Sequence, residues 1–197
     1  QTPNNWNGSE IDNLSINETG IANLNNSKFD SIPETLSGNK TALYIQSKHN
    51  VNYSYSSIRT QAFSAQTYYK ISVNILTNDI IAENYDGDDK YGAKLMLTEN
   101  EDIAIKGINT NGAWKTYTIY LSLQESLTSG ITLGLGDDNV KTSGDVFFDN
   151  LKIEKIDEST FQNDIGNFDN DTTSCFINYT EETTTEDDDE TWSNEFN

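Results

Sequence analysis

Tyr69-Lys70-Ile71-Ser72-Val73-Asn74-Ile75 is the stretch on which the fold turns. Apolar residues stand at every second position, and Lys70, Ser72 and Asn74 fill the gaps. Successive side chains of a strand point to opposite faces, so this alternation provides one face to bury and one to leave polar. On a helix, residues two apart lie roughly 200° apart, and the same four apolar side chains would scatter around the axis. The stretch predicts a strand.

The same period recurs on both sides of it. Leu43 and Ile45 alternate with polar neighbours; Ala93, Leu95 and Leu97 alternate with Lys94, Met96 and Thr98, and Tyr117, Ile119 and Leu121 with Thr116, Thr118 and Tyr120. Ile131, Leu133 and Leu135 repeat the pattern, as do Phe147, Asp149, Leu151 and Ile153. Turn-forming clusters punctuate these runs: Ser37-Gly38-Asn39-Lys40, Tyr85-Asp86-Gly87-Asp88, Thr110-Asn111-Gly112, Thr128-Ser129-Gly130 and Lys141-Thr142-Ser143-Gly144. No stretch sustains a three-and-four spacing of apolar residues between helix caps. Short strands separated by turns predict an all-β antiparallel sandwich or barrel.

Charge divides the chain. The net charge is −20, from 32 acidic and 12 basic residues. The segment 157–195 carries 13 acids and no base, which leaves 19 acids against 12 bases before it. A sandwich domain over residues 1–157 is therefore expected, followed by an acidic, largely irregular tail or linker over 158–197. Trp192 and Phe196, beyond that acidic run, are expected to belong either to a frayed terminus or to the start of a further domain. The excess of acid disfavours nucleic acid and anionic membrane surfaces, which need clustered Lys and Arg. No apolar run is long enough to span a bilayer. A single cysteine, Cys175, rules out an internal disulfide framework and leaves the redox compartment open. Asn-x-Ser/Thr sequons recur, but in a sequence so rich in Asn, Ser and Thr they carry little weight.

Residues 38–156 resemble the jelly-roll carbohydrate-binding modules of the galactose-binding-domain-like class. The likeness rests on four segments taken in order. Gly38-Asn39-Lys40-Thr41-Ala42-Leu43-Tyr44-Ile45 resembles the first long strand, and Thr67-Tyr68-Tyr69-Lys70-Ile71-Ser72-Val73 a central strand. Trp114-Lys115-Thr116-Tyr117-Thr118-Ile119-Tyr120-Leu121 is similar to the strand that opens on Trp, and Gly144-Asp145-Val146-Phe147-Phe148-Asp149-Asn150-Leu151-Lys152-Ile153 to the closing strand. The resemblance implies a jelly-roll β-sandwich that binds polysaccharide or another glycan without catalysis. It further implies a secreted or cell-surface setting within a larger multidomain chain. The same fold also serves as a structural spacer or adhesion repeat, and that alternative stays open. The family's opening Asn-x-x-Phe-Glu strand is missing from residues 1–30, while Asn194-Glu195-Phe196 looks more like it.

A glycan site needs flat aromatic faces for ring C–H groups and polar groups for hydroxyls. Trp6, Tyr53, Tyr55, Tyr85, Tyr91 and Trp114 sit in polar or loop contexts and are the candidate ligand-binding residues. Tyr53 and Tyr55 share one strand face, suited either to a stacking platform or to a half-buried sheet surface. The resemblance implies a structural place for Trp114. Asp149 alternates with Phe147 and Leu151 and is expected to point inward, where a carboxylate must be paired, hydrogen-bonded or metal-bound. The family often holds structural Ca²⁺ with this Asp, so calcium and plain hydrogen bonding to backbone N–H groups both stand as expectations. Asn84-Tyr85-Asp86-Gly87-Asp88-Asp89 lacks the Gly and bidentate Glu of a helix–loop–helix calcium site and reads as a solvated turn. Nothing points to catalysis. The sole His, His49, is expected in a polar loop, Ser47-Lys48-His49-Asn50; Cys175 has no neighbouring base; and no two carboxylates stand out as a hydrolytic pair.

Overall fold

The computed structural model describes residues 18–82, 91–138 and 140–179. The stretch that opened the sequence reading lies in β4 (Tyr68–Ala82), at the middle of a six-stranded sheet. Its neighbours are β9 (Thr142–Ile156) and β7 (Lys115–Leu123), both antiparallel to it. Outside β9 come β2 (Thr41–Val51) and then β1 (Glu18–Asn23); outside β7 comes β10 (Thr173–Tyr179). A four-stranded sheet lies opposite, in the order β3 (Tyr53–Phe63), β8 (Leu127–Leu135), β5 (Ala93–Leu97) and β6 (Ala104–Ile108). Among the described residues, all pairs are antiparallel except β10 on β7. The chain changes sheet between β2 and β3, β3 and β4, β4 and β5, β6 and β7, β7 and β8, and β8 and β9. The fold is an all-β antiparallel sandwich, as the alternation predicts.

The main core is built from the inward rows. Leu43 and Ile45, Ile71, Val73 and Ile75, Ile119 and Leu121 pack against Leu95 and Leu97, Ile131, Leu133 and Leu135. Each fully buried Leu, Ile or Val contributes about 1.5–3 kcal/mol relative to exposure. Repeated across two sheets, that term drives the layers together.

A second, smaller core departs from the one-face expectation. The outward residues Tyr44, Leu76 and Phe147, with Trp114, are buried beneath Ala22, Phe29 and Ile32 of the N-terminal segment. That segment runs from β1 through a single 3-10 turn at Ser27–Phe29. Phe29 meets Tyr44 and Phe147 edge-on at 5.3 and 5.9 Å between ring centroids. One end of the six-stranded sheet is therefore buried on both faces.

This cover corrects the expected direction of Asp149. Asp149 pairs with Asn74 in the ladder and shares the outward side with Phe147. Asn150 then adopts φ 56°, a left-handed conformation that Asn tolerates better than most residues, and the register shifts there. Leu151 returns to the main core, so its phase no longer matches that of Asp149.

Two further expectations change. Thr128-Ser129-Gly130 is part of β8, with Ser129 opposite Gln61, and the turn falls before it. The stretch from 158 is not irregular throughout: Glu158–Ile165 form α1 and Thr173–Tyr179 form β10, so the ordered domain continues past the expected boundary at 157. Residues 180–197 lie outside the described residues. Among the described residues, no helix is long and apolar enough to cross a membrane.

Candidate functional site

β6 and β10 end their sheets on the same side of the sandwich, and the layers part between them. The gap is a cleft of about 740 Å³ with a polar lining. Glu101 and Asp102 of the β5–β6 turn and Lys106 of β6 form one wall. Lys115 and Tyr117 of β7 form the floor, and Asn170, Asp171, Thr173 and Ser174 form the other wall. Asn109 closes one end.

Local structure fixes these groups. Thr77 and Thr110 exchange reciprocal bonds, each hydroxyl accepting from the other's backbone N–H at 2.7 and 2.8 Å. They pin the β6–β7 turn to β4, and Thr77 also donates to Asn109 Oδ1 at 3.1 Å. Asp137 Oδ2 takes Lys106 Nζ at 2.8 Å, while Lys94, only 4% exposed, donates to Asn52 Oδ1 at 2.9 Å. Burial works to raise the Asp137 carboxyl. The Lys106 bond, the Asp138 N–H and the two ammonium charges outweigh it and hold the group below the usual carboxylate range. Burial pushes the Lys94 ammonium down, against the Asp137 charge. On the floor, burial and then the charges of Asp171 and Asp169 push the Tyr117 hydroxyl up, so it remains a donor through neutral pH.

The second wall is carried by α1. Asp157 caps the helix, accepting from Thr160 N at 2.8 Å. Phe161 is fully buried between Tyr68 and Tyr120, at 4.6 and 5.8 Å between centroids. Asp164 Oδ2 accepts from Tyr120 Oη at 2.6 Å and Lys70 Nζ at 3.0 Å, and these bonds hold its carboxyl below the usual range. The polar turn after the helix, with Thr172 N bonded to Asp169 O at 3.1 Å, delivers Asn170 and Asp171 to the cleft rim.

The candidates named from sequence are not gathered here. Trp6 and Tyr85, with the acidic 84–89 loop, lie outside the described residues. The backbones of Tyr53 and Tyr55 lie in β3 opposite Leu135 and Leu133; their side chains are outside the description, as is that of His49, whose backbone lies in β2 rather than in a loop. Tyr91 is half-buried just before β5. Trp114 is 8% exposed in the smaller core and donates its indole N–H to Pro33 O at 2.9 Å, so its ring faces are occupied by packing. Neither Tyr91 nor Trp114 lines the cleft.

Asp149 is fully buried, and both carboxylate oxygens are engaged: Ser37 Oγ donates to one and Asn39 Nδ2 to the other at 2.7 Å. The donors are side chains, not the backbone N–H groups expected. One carboxylate, one hydroxyl and one carboxamide fall short of the six to eight oxygens calcium takes. No group of three His, Cys, Asp or Glu suited to a metal occurs among the described residues. That donor set does not by itself fit calcium.

Sequence reasoning missed the cleft lining. Tyr117 was legible as a core residue, but nothing in its alternation placed it at an edge. Asn170 and Asp171 were absorbed into the acidic tail. Cys175 lies on β10, and burial pushes its thiol up, the opposite of what activates a nucleophile.

No family model and no curated protein matches the chain. Among solved structures, the chain is similar to a CBM4 domain, at 13% identity over 59% of this chain and 70% of that one, with a TM-score of 0.36. It is similar to a family 16 carbohydrate-binding module at 10% identity, over 62% of this chain and 82% of that one, with a TM-score of 0.37. A third is the CBM22-1–GH10 portion of Clostridium thermocellum endo-1,4-β-D-xylanase 10B complexed with xylohexaose: 16% identity, 73% of this chain and 26% of that one, TM-score 0.36. These three solved structures are carbohydrate-binding modules and a xylanase fragment that carries one.

Proposed function

We propose that this chain is a non-catalytic carbohydrate-binding module, secreted or displayed at a cell surface within a larger multidomain protein, and that it holds a neutral glycan in the cleft between β6 and β10. The observation that carries the reading is the cleft lining. Lys106, Lys115, Tyr117, Asn109 and Asn170 line the same gap as the acids Glu101, Asp102 and Asp171. A sugar hydroxyl both donates and accepts, so a polyhydroxylated chain can satisfy both kinds of group at once. Hydrogen bonds to charged partners contribute about 1.5–3 kcal/mol each, and neutral ones about 0.5–1.5. Acids outnumber bases in the lining, which disfavours an anionic polymer. Aromatic stacking on Tyr53 and Tyr55 belongs to the same proposal as an added platform; structural calcium is not needed for it.

Affinity electrophoresis in gels containing xylan, xyloglucan or mixed-linkage β-glucan tests the proposal. At least one polymer should retard the chain, and the pair Lys115→Ala with Asp171→Ala should abolish the shift. If Tyr53→Ala with Tyr55→Ala removes binding while the cleft pair leaves it intact, the cleft assignment is wrong. No retardation by any polymer would leave the spacer or adhesion repeat as the surviving reading.

A further inference from the structure

The cleft is shared between two parts of the chain, joined by the parallel ladder of β10 on β7 and by the side-chain contacts of α1. Lys106, Lys115 and Tyr117 belong to the sandwich proper, whose ladder of antiparallel strands is complete at Ile156. Asn170, Asp171, Thr173 and Ser174 belong to the helix–strand unit that follows. Without that unit, β7 would be the edge of its sheet and the cleft would have no second wall.

Resting on the glycan-binding reading, we infer that residues 157–179 act as a clasp: its docking builds the cleft, ligand binding and docking are coupled, and Asp164 is the positioning residue that holds the wall in register. Three observations carry this. First, α1 is eight residues long, too short to persist without tertiary support, so its presence depends on what it touches. Second, beyond the β10–β7 ladder the unit's side-chain contacts are few and specific. Phe161 inserts between Tyr68 and Tyr120, Asp164 accepts from Tyr120 and Lys70, and Phe176 packs on the main core. Third, β10 joins β7 in the one parallel pair among the described residues, reached by a crossover through α1. The register of Asn170–Ser174 against Tyr117 is therefore set by where the helix seats. A ligand touching both walls binds only the docked form, and linkage requires that it stabilise docking in return.

The chain carries its own reporter. Cys175, the sole cysteine, lies on β10 opposite Tyr120 and is half-buried. A coloured aromatic disulfide reagent, applied to the full chain, therefore reads undocking directly. Asp164→Asn and Phe161→Ala should each raise the Cys175 modification rate roughly tenfold or more, as expected for losing charged hydrogen bonds or a buried ring. The circular dichroism and near-ultraviolet signals of the sandwich should hold. Both variants should also bind the retarding polysaccharide more weakly, and saturating polysaccharide should slow modification of the parent chain. Equal thiol rates in all three proteins would overturn the clasp, as would a faster rate accompanied by loss of the sandwich signal. Variants that expose Cys175 yet bind polysaccharide as tightly as the parent would overturn the coupling. If no polysaccharide binds the parent, the glycan reading fails, while the thiol rates still decide whether the unit docks as described.

Discussion

Replacing Asp149 by Ala separates two explanations for a buried carboxylate. The side chain is fully buried, with Ser37 donating to one oxygen and Asn39 to the other. Ala removes both acceptors and leaves their donors, on exposed Ser37 and half-buried Asn39, to water. A hydrogen bond to a charged group contributes about 1.5–3 kcal/mol, and water replacing the carboxylate on these two donors puts each bond at the lower end. The expected loss is about 3 kcal/mol. For a domain of this size each kcal/mol lowers Tm by about 2–4 °C, so Asp149→Ala should melt about 6–12 °C below the parent. Asp149→Asn keeps one acceptor for Asn39 and should cost about 1 kcal/mol. Differential scanning calorimetry of the three proteins, with and without EDTA, gives the answer. The parent's melting temperature should be the same in both buffers, because the hydrogen bonds account for the carboxylate. A parent that falls to the Asp149→Ala temperature in EDTA would refute this account in favour of calcium. A loss below 1 kcal/mol for Asp149→Ala would show that the pair of bonds contributes nothing.

Trp114→Phe should cost about 1–2 kcal/mol in urea denaturation, from the lost indole bond to Pro33 and a smaller ring, and leave polysaccharide retardation unchanged. A lost gel shift would return Trp114 to the binding residues. Asp164 titrates below the usual carboxylate range, through Tyr120 first and Lys70 second. Its folded-state value lies below its unfolded one, so its contribution to docking is present above the unfolded value and is lost as pH falls through the folded one. The Lys70 ammonium stays charged across that window; Glu158, bonded to Tyr68, and Glu154, opposite Lys70 in the β4–β9 ladder, are further carboxylates on that side. Hydrogen exchange of the β10 amides, corrected for intrinsic rates, should therefore rise on acidification in the parent. It should be high and less pH-dependent in Asp164→Asn; identical pH profiles would rule the group out.

The sandwich was legible because burial on one face leaves a period of two, and β4, β5, β7, β8 and β9 all carry it. What escaped was whatever that period does not encode. Leu76 and Phe147 sit beside Ile75 and Phe148, and such adjacent apolar pairs signal burial on both faces; the cover itself comes from Phe29 and Ile32, in a segment with no clear period. The bulge at Asn150 broke the phase on which the direction of Asp149 was read. Gly130 and Ser129 resemble a turn locally, yet the ladder with β3 and the Ser129 hydroxyl bonded to Glu99 N keep them extended. The helix has only one buried residue, Phe161, too few for a pattern inside an acidic run. The cleft was the least legible feature, because its walls come from segments about 65 residues apart and meet only when two sheet edges close on the same side.

Protection of the six-stranded sheet comes from sequence at both ends of the family-like region. A chain trimmed to residues 38–156 would lose Phe29 and Ile32 from above Tyr44, Leu76 and Phe147, and Phe161 and β10 from beside Tyr120. It would present a greasy stripe on one flank and an unpaired hydrogen-bonding rim on the other, the two surfaces through which β-proteins adhere to copies of themselves. The flanking segments thus cover both surfaces, and a chain cut at 38 and 156 should self-associate where the longer one does not.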